Sequence, residues 1–365
     1  MALTDPKFLY LLIGLTAIAF ALIVYFWPRL SGNKFSSLLL RITSLLTLNF
    51  LIVATLGLSL NNYGQFYTSW SELFGERNAS PLVVDRLNGE ITFADLKKAK
   101  FTNSGTAIIH RLIRGESAGI TGDFFISLPP SYVSALRKGV KPKSDYPVAE
   151  FFSGYPGHPS AWIHGMRMID RLDNAASSMK LPEVISVYPN INLVPKFDAE
   201  CMNIPSGPQM ESWLSQDVVR YVNSWLGLKP QPWTAIGYST GGWCSTMLSL
   251  RHPDKFRAAA SIASYYMPLV DSHISETIRK ELVQEYDLYK LLDNQPPAIN
   301  LFVLNSVDDK FSHRATLAFL ERVREPISVT EVELSGVGHN FNAWKRILPS
   351  MIDWYAAQLG KVSKS

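Results

Sequence analysis

A serine between two glycines, near the middle of the chain, has the setting of an activated nucleophile. Ser239 follows an apolar stretch and opens a helical pattern within Gly237-Tyr238-Ser239-Thr240-Gly241. This is the context of a G-x-S-x-G turn, where Gly237 and Gly241 avoid collisions with strand and helix while the hydroxyl projects outward. The amino terminus of the following helix favours developing negative charge. The pattern predicts a nucleophile for acyl transfer; an ordinary glycine-rich turn is the alternative.

A serine hydroxyl becomes a good nucleophile only when a base removes its proton. In folds that carry this turn, the order along the chain is serine, acid, histidine. His339 follows the last predicted strand on a glycine-flanked loop, whereas His252, His273 and His313 lie at a helix end, within an insertion and just before a helix. His339 is therefore the predicted base.

The acid that orients this histidine is expected after the predicted strand 299–305. Asp308 and Asp309 both lie there, and two adjacent side chains cannot point the same way. Asp309 is favoured because it fits an S-x-x-D-x-F turn, and Asp308 stays open as the second candidate. An aspartate-rich turn that only caps the helix near Ser312 is the structural alternative.

Acyl transfer also requires two backbone N–H groups that bind the oxyanion. One is expected from Thr240, directly after the nucleophile. The other is expected from the loop after the predicted strand 147–153, where Gly154 lets the backbone approach a substrate carbonyl. Tyr155 is the predicted donor, because the proline that follows it has no N–H.

The elements that must position these residues alternate between strands and amphipathic helices. This pattern predicts an α/β domain over residues 105–365, with a mostly parallel sheet covered by helices on both faces. An insertion at 264–298 is long for a simple connection, and we expect it to be helical and to cover a cleft. The predicted strands are 106–114, 122–128, 147–153, 184–189, 232–238, 257–263, 299–305 and 327–334. The predicted helices are 161–178, 209–226, 240–251, 314–324 and 342–358.

Two long uncharged runs precede this domain and predict a membrane anchor over residues 1–60. Residues 8–27 and 42–60 are each long enough to cross the roughly 30 Å hydrocarbon core as a helix. The loop 28–41 carries three basic residues and no acid, so the positive-inside rule places it in the cytoplasm; the opposite topology is the alternative. The predicted location is a multi-pass protein of the cell membrane with an extracytoplasmic catalytic domain, joined to the anchor by a connecting segment, 61–104.

Composition and charge exclude several other classes of protein. The 365 residues are 47% hydrophobic, which excludes a disordered chain. The net charge of +4 lies mostly within residues 1–60, so the domain is nearly neutral and no nucleic-acid partner is expected. The sequence has no CxxC pair and no nucleotide-binding motif, so neither a metal nor another cofactor is expected. It does not indicate any protein partner.

Three segments around these residues resemble a known group of enzymes. The motifs FSGYPG, GYSTGGWCS and GVGHNFNAW are similar to those of esterase D-type α/β-hydrolases. Within that group, DAECMN at 198–203 resembles actinobacterial membrane-anchored esterases related to antigen 85-type mycolyltransferases. The resemblance covers roughly residues 61–360. It implies an α/β-hydrolase fold, a serine-triad acyl-enzyme mechanism and a cell-envelope setting.

The resemblance and the predicted topology also bear on the cysteines and the substrate. If the domain lies outside the cytoplasm, Cys201 and Cys244 can form a disulfide that braces the nucleophile turn; two buried free thiols are the alternative. The membrane anchor and the apolar residues of the insertion (Tyr265, Tyr266, Met267, Leu269) favour an ester of a lipid or an envelope glycan. The predicted activity is that of an esterase or an acyltransferase. A non-catalytic envelope binding protein or scaffold on the same fold is the alternative.

Overall fold

The structure is a computed structural model that describes residues 3, 5–30, 32, 35–64, 70–73, 90–194 and 197–362. The chain forms two compact units, Met1–Ser80 and Pro81–Ser365. Lys34 of the predicted cytoplasmic loop and residues 65–69 and 74–89 of the predicted connecting segment lie outside the described residues.

In its described residues the first unit contains three α-helices, two long and apolar and one short: α1 (Pro6–Phe26), α2 (Phe35–Gly64) and α3 (Trp70–Leu73). The hydroxyls of Thr16 and Thr55 join α1 to α2 at 3.0 Å. By length and composition both long helices could cross a membrane, although a signal sequence has the same properties. Helix α2 extends beyond the predicted 42–60 run at both ends, because the uncharged run gives the length of the apolar stretch and not the limits of the helix.

The second unit is built on a nine-stranded sheet in the order β1-β2-β3-β5-β4-β6-β7-β8-β9. Pairing is antiparallel from β1 to β5 and parallel from β5 through β9. All eight predicted strands are present within one residue at each end, and the short β1 is additional. The strands are β1 (Lys100–Phe101), β2 (Ala107–Arg114), β3 (Thr121–Leu128), β4 (Val148–Phe152), β5 (Ile185–Pro189), β6 (Trp233–Tyr238), β7 (Phe256–Ile262), β8 (Asn300–Ser306) and β9 (Ser328–Leu334).

Helices cover both faces of this sheet. They are α4 (Pro130–Arg137), α5 (Met168–Ser177), α6 (Met210–Ser212), α7 (Val219–Leu226), α8 (Thr240–Arg251), α9 (Glu276–Glu285), α10 (Leu288–Asn294), α11 (Lys310–Leu320) and α12 (Phe341–Val362). Consecutive side chains of a central strand enter opposite cores: Phe151 packs on the α5 and α12 side, and Phe152 packs on the α7 and α8 side. The fold is thus an α/β sheet covered on both faces, as predicted.

Two helices differ from the prediction in their boundaries, and one helix is additional. The predicted helix 161–178 is interrupted, since Arg167 has a left-handed backbone with φ 52° and only α5 continues beyond it. Helix α11 begins at Lys310 rather than 314, because the Asp309 side chain accepts a hydrogen bond from Ser312 N and caps the helix earlier. Helix α4 was not predicted.

Part of the predicted connecting segment packs on the α/β unit. Ile91 N donates to Trp225 O at 2.8 Å, and Leu96 is buried in the core. The predicted insertion 264–298 contains α9 and α10, so it is helical as expected.

Candidate active site

The turn between β6 and α8 holds Ser239 in a strained conformation. Its φ is 54° and its ψ is −125°, a region that a side-chain-bearing residue rarely adopts. A Cβ at Gly237 would lie 1.8 Å from the carbonyl oxygen of Gly241, and a Cβ at Gly241 would lie 2.1 Å from that of Phe152. Both flanking positions therefore require glycine, as the motif predicts.

The imidazole of His339 lies between the serine and an aspartate. Its Nε2 is 3.1 Å from Ser239 Oγ, and its Nδ1 is 2.6 Å from Asp309 Oδ2. A carboxylate only accepts hydrogen bonds, so Nδ1 carries the proton and Nε2 is left to accept the serine proton. The ring remains partly exposed, and a substrate can reach its serine side.

Asp309 is buried and held in its ionised form. Its side chain is 8% exposed and also accepts a hydrogen bond from Ser312 Oγ at 2.6 Å. Burial raises the pKa of this carboxyl, but the hydrogen bonds from His339 and Ser312 outweigh it, so the pKa lies below its usual value. The same carboxylate caps α11. Helix capping and contact with the histidine, which the sequence presents as alternatives, are both present.

The neighbouring carboxylate points elsewhere. Asp308 Oδ2 accepts from Gly336 N at 2.6 Å, on the loop that leads to His339. Ser306 Oγ donates to Val337 O at 2.5 Å on the same loop. The structure therefore brings Asp309, and not Asp308, to the histidine, while Asp308 holds the histidine loop.

An aromatic support behind the histidine was not predicted. The His339 ring meets Trp344 edge-on with centroids 5.0 Å apart, and Trp344 stacks on Tyr238 at 4.7 Å. Asn340 caps α12 by accepting from the backbone N–H groups of Asn342 and Ala343. The aromatic residues on both sides of the two motifs were visible in the sequence, but only the fold shows that they meet.

The predicted oxyanion loop lies against the nucleophile. A Cβ at Gly154 would lie 3.1 Å from the Cβ of Ser239, so glycine permits this close approach. Thr240 is buried as the first residue of α8. Asn192 Nδ2 donates to Gly157 O at 2.5 Å and braces the loop; the sequence analysis missed this residue. The N–H groups of Thr240 and Tyr155 remain the predicted donors.

A disulfide joins Cys201 to Cys244, with their Cα atoms 5.7 Å apart. Cys244 lies within the nucleophile helix α8, so this link ties the 198–203 segment to that helix. Among the described residues, no group of three or more His, Cys, Asp or Glu side chains could hold a metal ion.

The apolar residues at the start of the insertion differ in their burial. Tyr265 and Tyr266 are buried, and Tyr266 stacks on Phe319 with centroids 4.0 Å apart. Leu269, in contrast, is 51% exposed. The two tyrosines therefore belong to the core, and Leu269 is the exposed apolar residue of this group.

A family model agrees with this geometry. The model, described as "Putative esterase", matches residues 117–351, more than half of the chain. The chain belongs to this esterase family. The match contains the nucleophile turn, both candidate acids and His339. Among curated proteins, no sequence relative matches the chain.

Solved structures show the same fold at low identity. A ferulic acid esterase is 18% identical with a TM-score of 0.58, covering 70% of this chain and 99% of its own. An S-formylglutathione hydrolase from Agrobacterium tumefaciens is 15% identical with a TM-score of 0.56, covering 71% and 98%. The fluorophosphonate-binding serine hydrolase F of Staphylococcus aureus is 19% identical with a TM-score of 0.52, covering 68% and 98%. At these identities the likeness establishes the α/β-hydrolase fold alone.

Proposed function

We propose that the chain is a membrane-anchored serine esterase or acyltransferase that forms an acyl-enzyme on Ser239. The observation that carries this proposal is the single imidazole of His339 within hydrogen-bond reach of both Ser239 and Asp309. Membership of the esterase family supports the same class of reaction.

The first half of the reaction acylates the serine. Ser239 Oγ attacks the ester carbonyl carbon while His339 Nε2 takes the hydroxyl proton. Asp309 stabilises the imidazolium that forms and holds the ring in the reactive tautomer. The carbonyl electron pair moves onto oxygen, and the N–H groups of Thr240 and Tyr155 bind this oxyanion. The tetrahedral intermediate collapses, and His339 gives its proton to the leaving alcohol.

The second half transfers the acyl group to an acceptor. The acceptor hydroxyl gives its proton to His339 as its oxygen attacks the acyl-enzyme, and the serine receives the proton back. Water as acceptor completes ester hydrolysis, and a sugar hydroxyl completes acyl transfer. The resemblance to envelope esterases related to mycolyltransferases supports an envelope glycan as one acceptor.

The anchor and the disulfide support an extracytoplasmic setting and a lipid or envelope-glycan ester as substrate. Helices α1 and α2 have the length and composition of membrane spans. The Cys201–Cys244 disulfide is typical of compartments outside the reducing cytoplasm. A domain held at the membrane surface meets lipid-linked esters at high local concentration.

A fluorophosphonate probe tests the nucleophile in the full-length, detergent-solubilised protein. We expect covalent labelling of Ser239, located by peptide mass analysis. Folded protein that shows no labelling at this residue would favour the non-catalytic binding function instead. Intact-mass analysis after incubation with envelope lipids then identifies the acyl group from the mass added to Ser239.

A reporter enzyme that is active only outside the cytoplasm tests the topology. Fused after Leu73 it should be active, and fused after Gly32, in the short basic loop, it should be inactive. The reverse pattern of activity would overturn the extracytoplasmic placement.

A further inference from the structure

Three buried polar side chains connect the 198–203 segment to the residue after the nucleophile. The hydroxyl of Tyr265 donates to Glu200 Oε1 at 2.5 Å and lies 3.1 Å from Thr240 Oγ1. Glu200, Tyr265 and Thr240 are all buried, with Glu200 only 2% exposed. Nothing in the triad mechanism uses Glu200 or Tyr265.

The single proton of the tyrosine hydroxyl sets the direction of the hydrogen bonds among these three side chains. A tyrosine hydroxyl has one proton, so when Tyr265 donates to Glu200, Thr240 must donate its own hydroxyl proton to the tyrosine oxygen. Each side chain thus has one favoured rotamer. A buried polar group without a partner is unfavourable, so these hydrogen bonds resist rearrangement.

The backbone at Glu200 is held in an unusual conformation. Glu200 and Cys201 both have positive φ, 51° and 56°. Such strain in consecutive residues persists only when surrounding contacts enforce it. Trp243 Nε1 donates to Glu200 O at 2.9 Å, Leu269 N donates to Glu200 Oε2 at 3.3 Å, and the disulfide holds Cys201.

The backbone of the nucleophile turn is braced from the same side. Ser264 Oγ, next to Tyr265, donates to Ser239 O at 2.9 Å. Tyr265 also stacks on Trp243 of α8, with centroids 6.1 Å apart. The peptide group between Ser239 and Thr240 is therefore held by its own carbonyl oxygen and by the Thr240 side chain.

We infer that Glu200 and Tyr265 are positioning residues that hold Thr240 so that its backbone N–H is preorganised for the oxyanion. This inference rests on the proposed function and extends it to residues that never touch substrate. A preorganised donor lowers the barrier because it does not reorient as negative charge develops. The strained segment and its disulfide then serve to place a glutamate beneath the oxyanion donor.

Glu200 can be replaced by two neutral residues of similar size that differ in their hydrogen bonding. Burial and the nearby carboxylate of Asp198 raise the pKa of Glu200 well above its usual value. Glutamine keeps one oxygen, which can accept from Tyr265 while the amide group replaces the oxygen that faces Leu269 N, whereas methionine has a similar length and no acceptor. Glu200→Gln and Glu200→Met therefore separate the hydrogen bond from the packing.

Tyr265→Phe is the primary test, and the chain offers a matched control. Tyr286 is a second buried tyrosine that donates to a glutamate, to Glu211 Oε2 at 2.6 Å, and it accepts from Asn203 N at 2.9 Å. Its substitution thus also removes a contact to the 198–203 segment, but none to Thr240. Each substitution removes one hydroxyl from a buried Tyr–Glu pair and keeps the ring. Steady-state hydrolysis of a p-nitrophenyl ester by the full-length protein gives kcat and KM, and thermal unfolding reports stability.

We expect Tyr265→Phe to lower kcat about tenfold at nearly constant KM, less than the roughly 100- to 1,000-fold loss for an oxyanion donor removed outright. Tyr286→Phe should retain the wild-type kcat even where it lowers Tm equally. Glu200→Gln should keep most of kcat, and Glu200→Met should resemble Tyr265→Phe.

Two outcomes would overturn the inference. One is a kcat for Tyr265→Phe that matches Tyr286→Phe; the other is an equal loss in Glu200→Gln and Glu200→Met. Failure of the proposed function would look different from either outcome. In that case the wild-type protein itself would neither hydrolyse the ester nor react with a fluorophosphonate.

Discussion

Asp309 and His339 share a hydrogen bond of 2.6 Å although helix α11 and strand β9 separate them along the chain. They meet because β8 and β9 are adjacent parallel strands, so the loops after both strands leave the same edge of the sheet. Ser239 follows β6, another parallel strand, and leaves that edge as well. The candidate triad is thus a consequence of parallel topology, as in other open α/β sheets.

The two adjacent aspartates should differ sharply in their effect on turnover. Asp309→Asn removes the acceptor that holds the His339 tautomer, and we expect kcat to fall about 10⁴-fold. Asp308→Asn keeps an oxygen that can accept from Gly336 N, so kcat should stay within about tenfold of wild type. Ester hydrolysis by the two purified variants measures the difference. A larger loss in Asp308→Asn would show that the acid is wrongly assigned.

Removal of the nucleophile should abolish chemistry without unfolding the domain. Ser239→Ala keeps a Cβ at the same positive φ, so the backbone strain of the turn is nearly unchanged. The flanking glycines also remain, so the turn should persist. We expect kcat to fall by at least about 10⁴-fold, with an unchanged circular dichroism spectrum. Substantial remaining turnover would identify another nucleophile.

The disulfide should contribute to stability through the loop that it closes. Cys201 and Cys244 are 43 positions apart, and opening a link of this size should lower the free energy of unfolding by roughly 2–4 kcal/mol. The double variant Cys201→Ala, Cys244→Ala should show this loss in urea unfolding. Reduced wild-type protein serves as the control and should lose a similar amount. An unchanged unfolding free energy in both would contradict the prediction.

Glu211 should make the domain sensitive to acid. Burial raises its pKa, but hydrogen bonds from His252, Arg251 and Tyr286 lower it to about 2. Because the folded pKa lies below the unfolded value of 4.5, the stabilisation is fully present above pH 4.5 and is lost as the pH falls towards 2. The shift corresponds to about 3 kcal/mol.

Urea unfolding at about pH 7, about pH 4.5 and about pH 3 tests the dependence of stability on the ionisation of Glu211. Glu211→Gln should show a shallower loss of unfolding free energy with acid than wild type. Glu285→Gln is the control, since that carboxylate contacts the same Arg251 from a largely exposed position. Identical pH dependence in Glu211→Gln and wild type would contradict the assignment.

Local patterns determined much of the candidate site. The nucleophile turn is readable because its strain is local: Ser239 needs glycine at positions 237 and 241, whatever the rest of the chain does. The strands β4 to β8 are readable because burial on both faces demands nearly continuous apolar runs. The two apolar helices follow from length and composition.

The choice of acid, the support of the histidine and the contacts beneath the oxyanion donor depended on tertiary structure. The turn pattern favours Asp309 but leaves Asp308 open, and the direction of the turn after β8 separates the two carboxylates. Asn192, Glu200 and Tyr265 carry no local signal, because their partners lie in segments distant along the chain. A hydrogen bond between distant segments is specified by how sheet and helices pack, and a linear pattern does not contain that information.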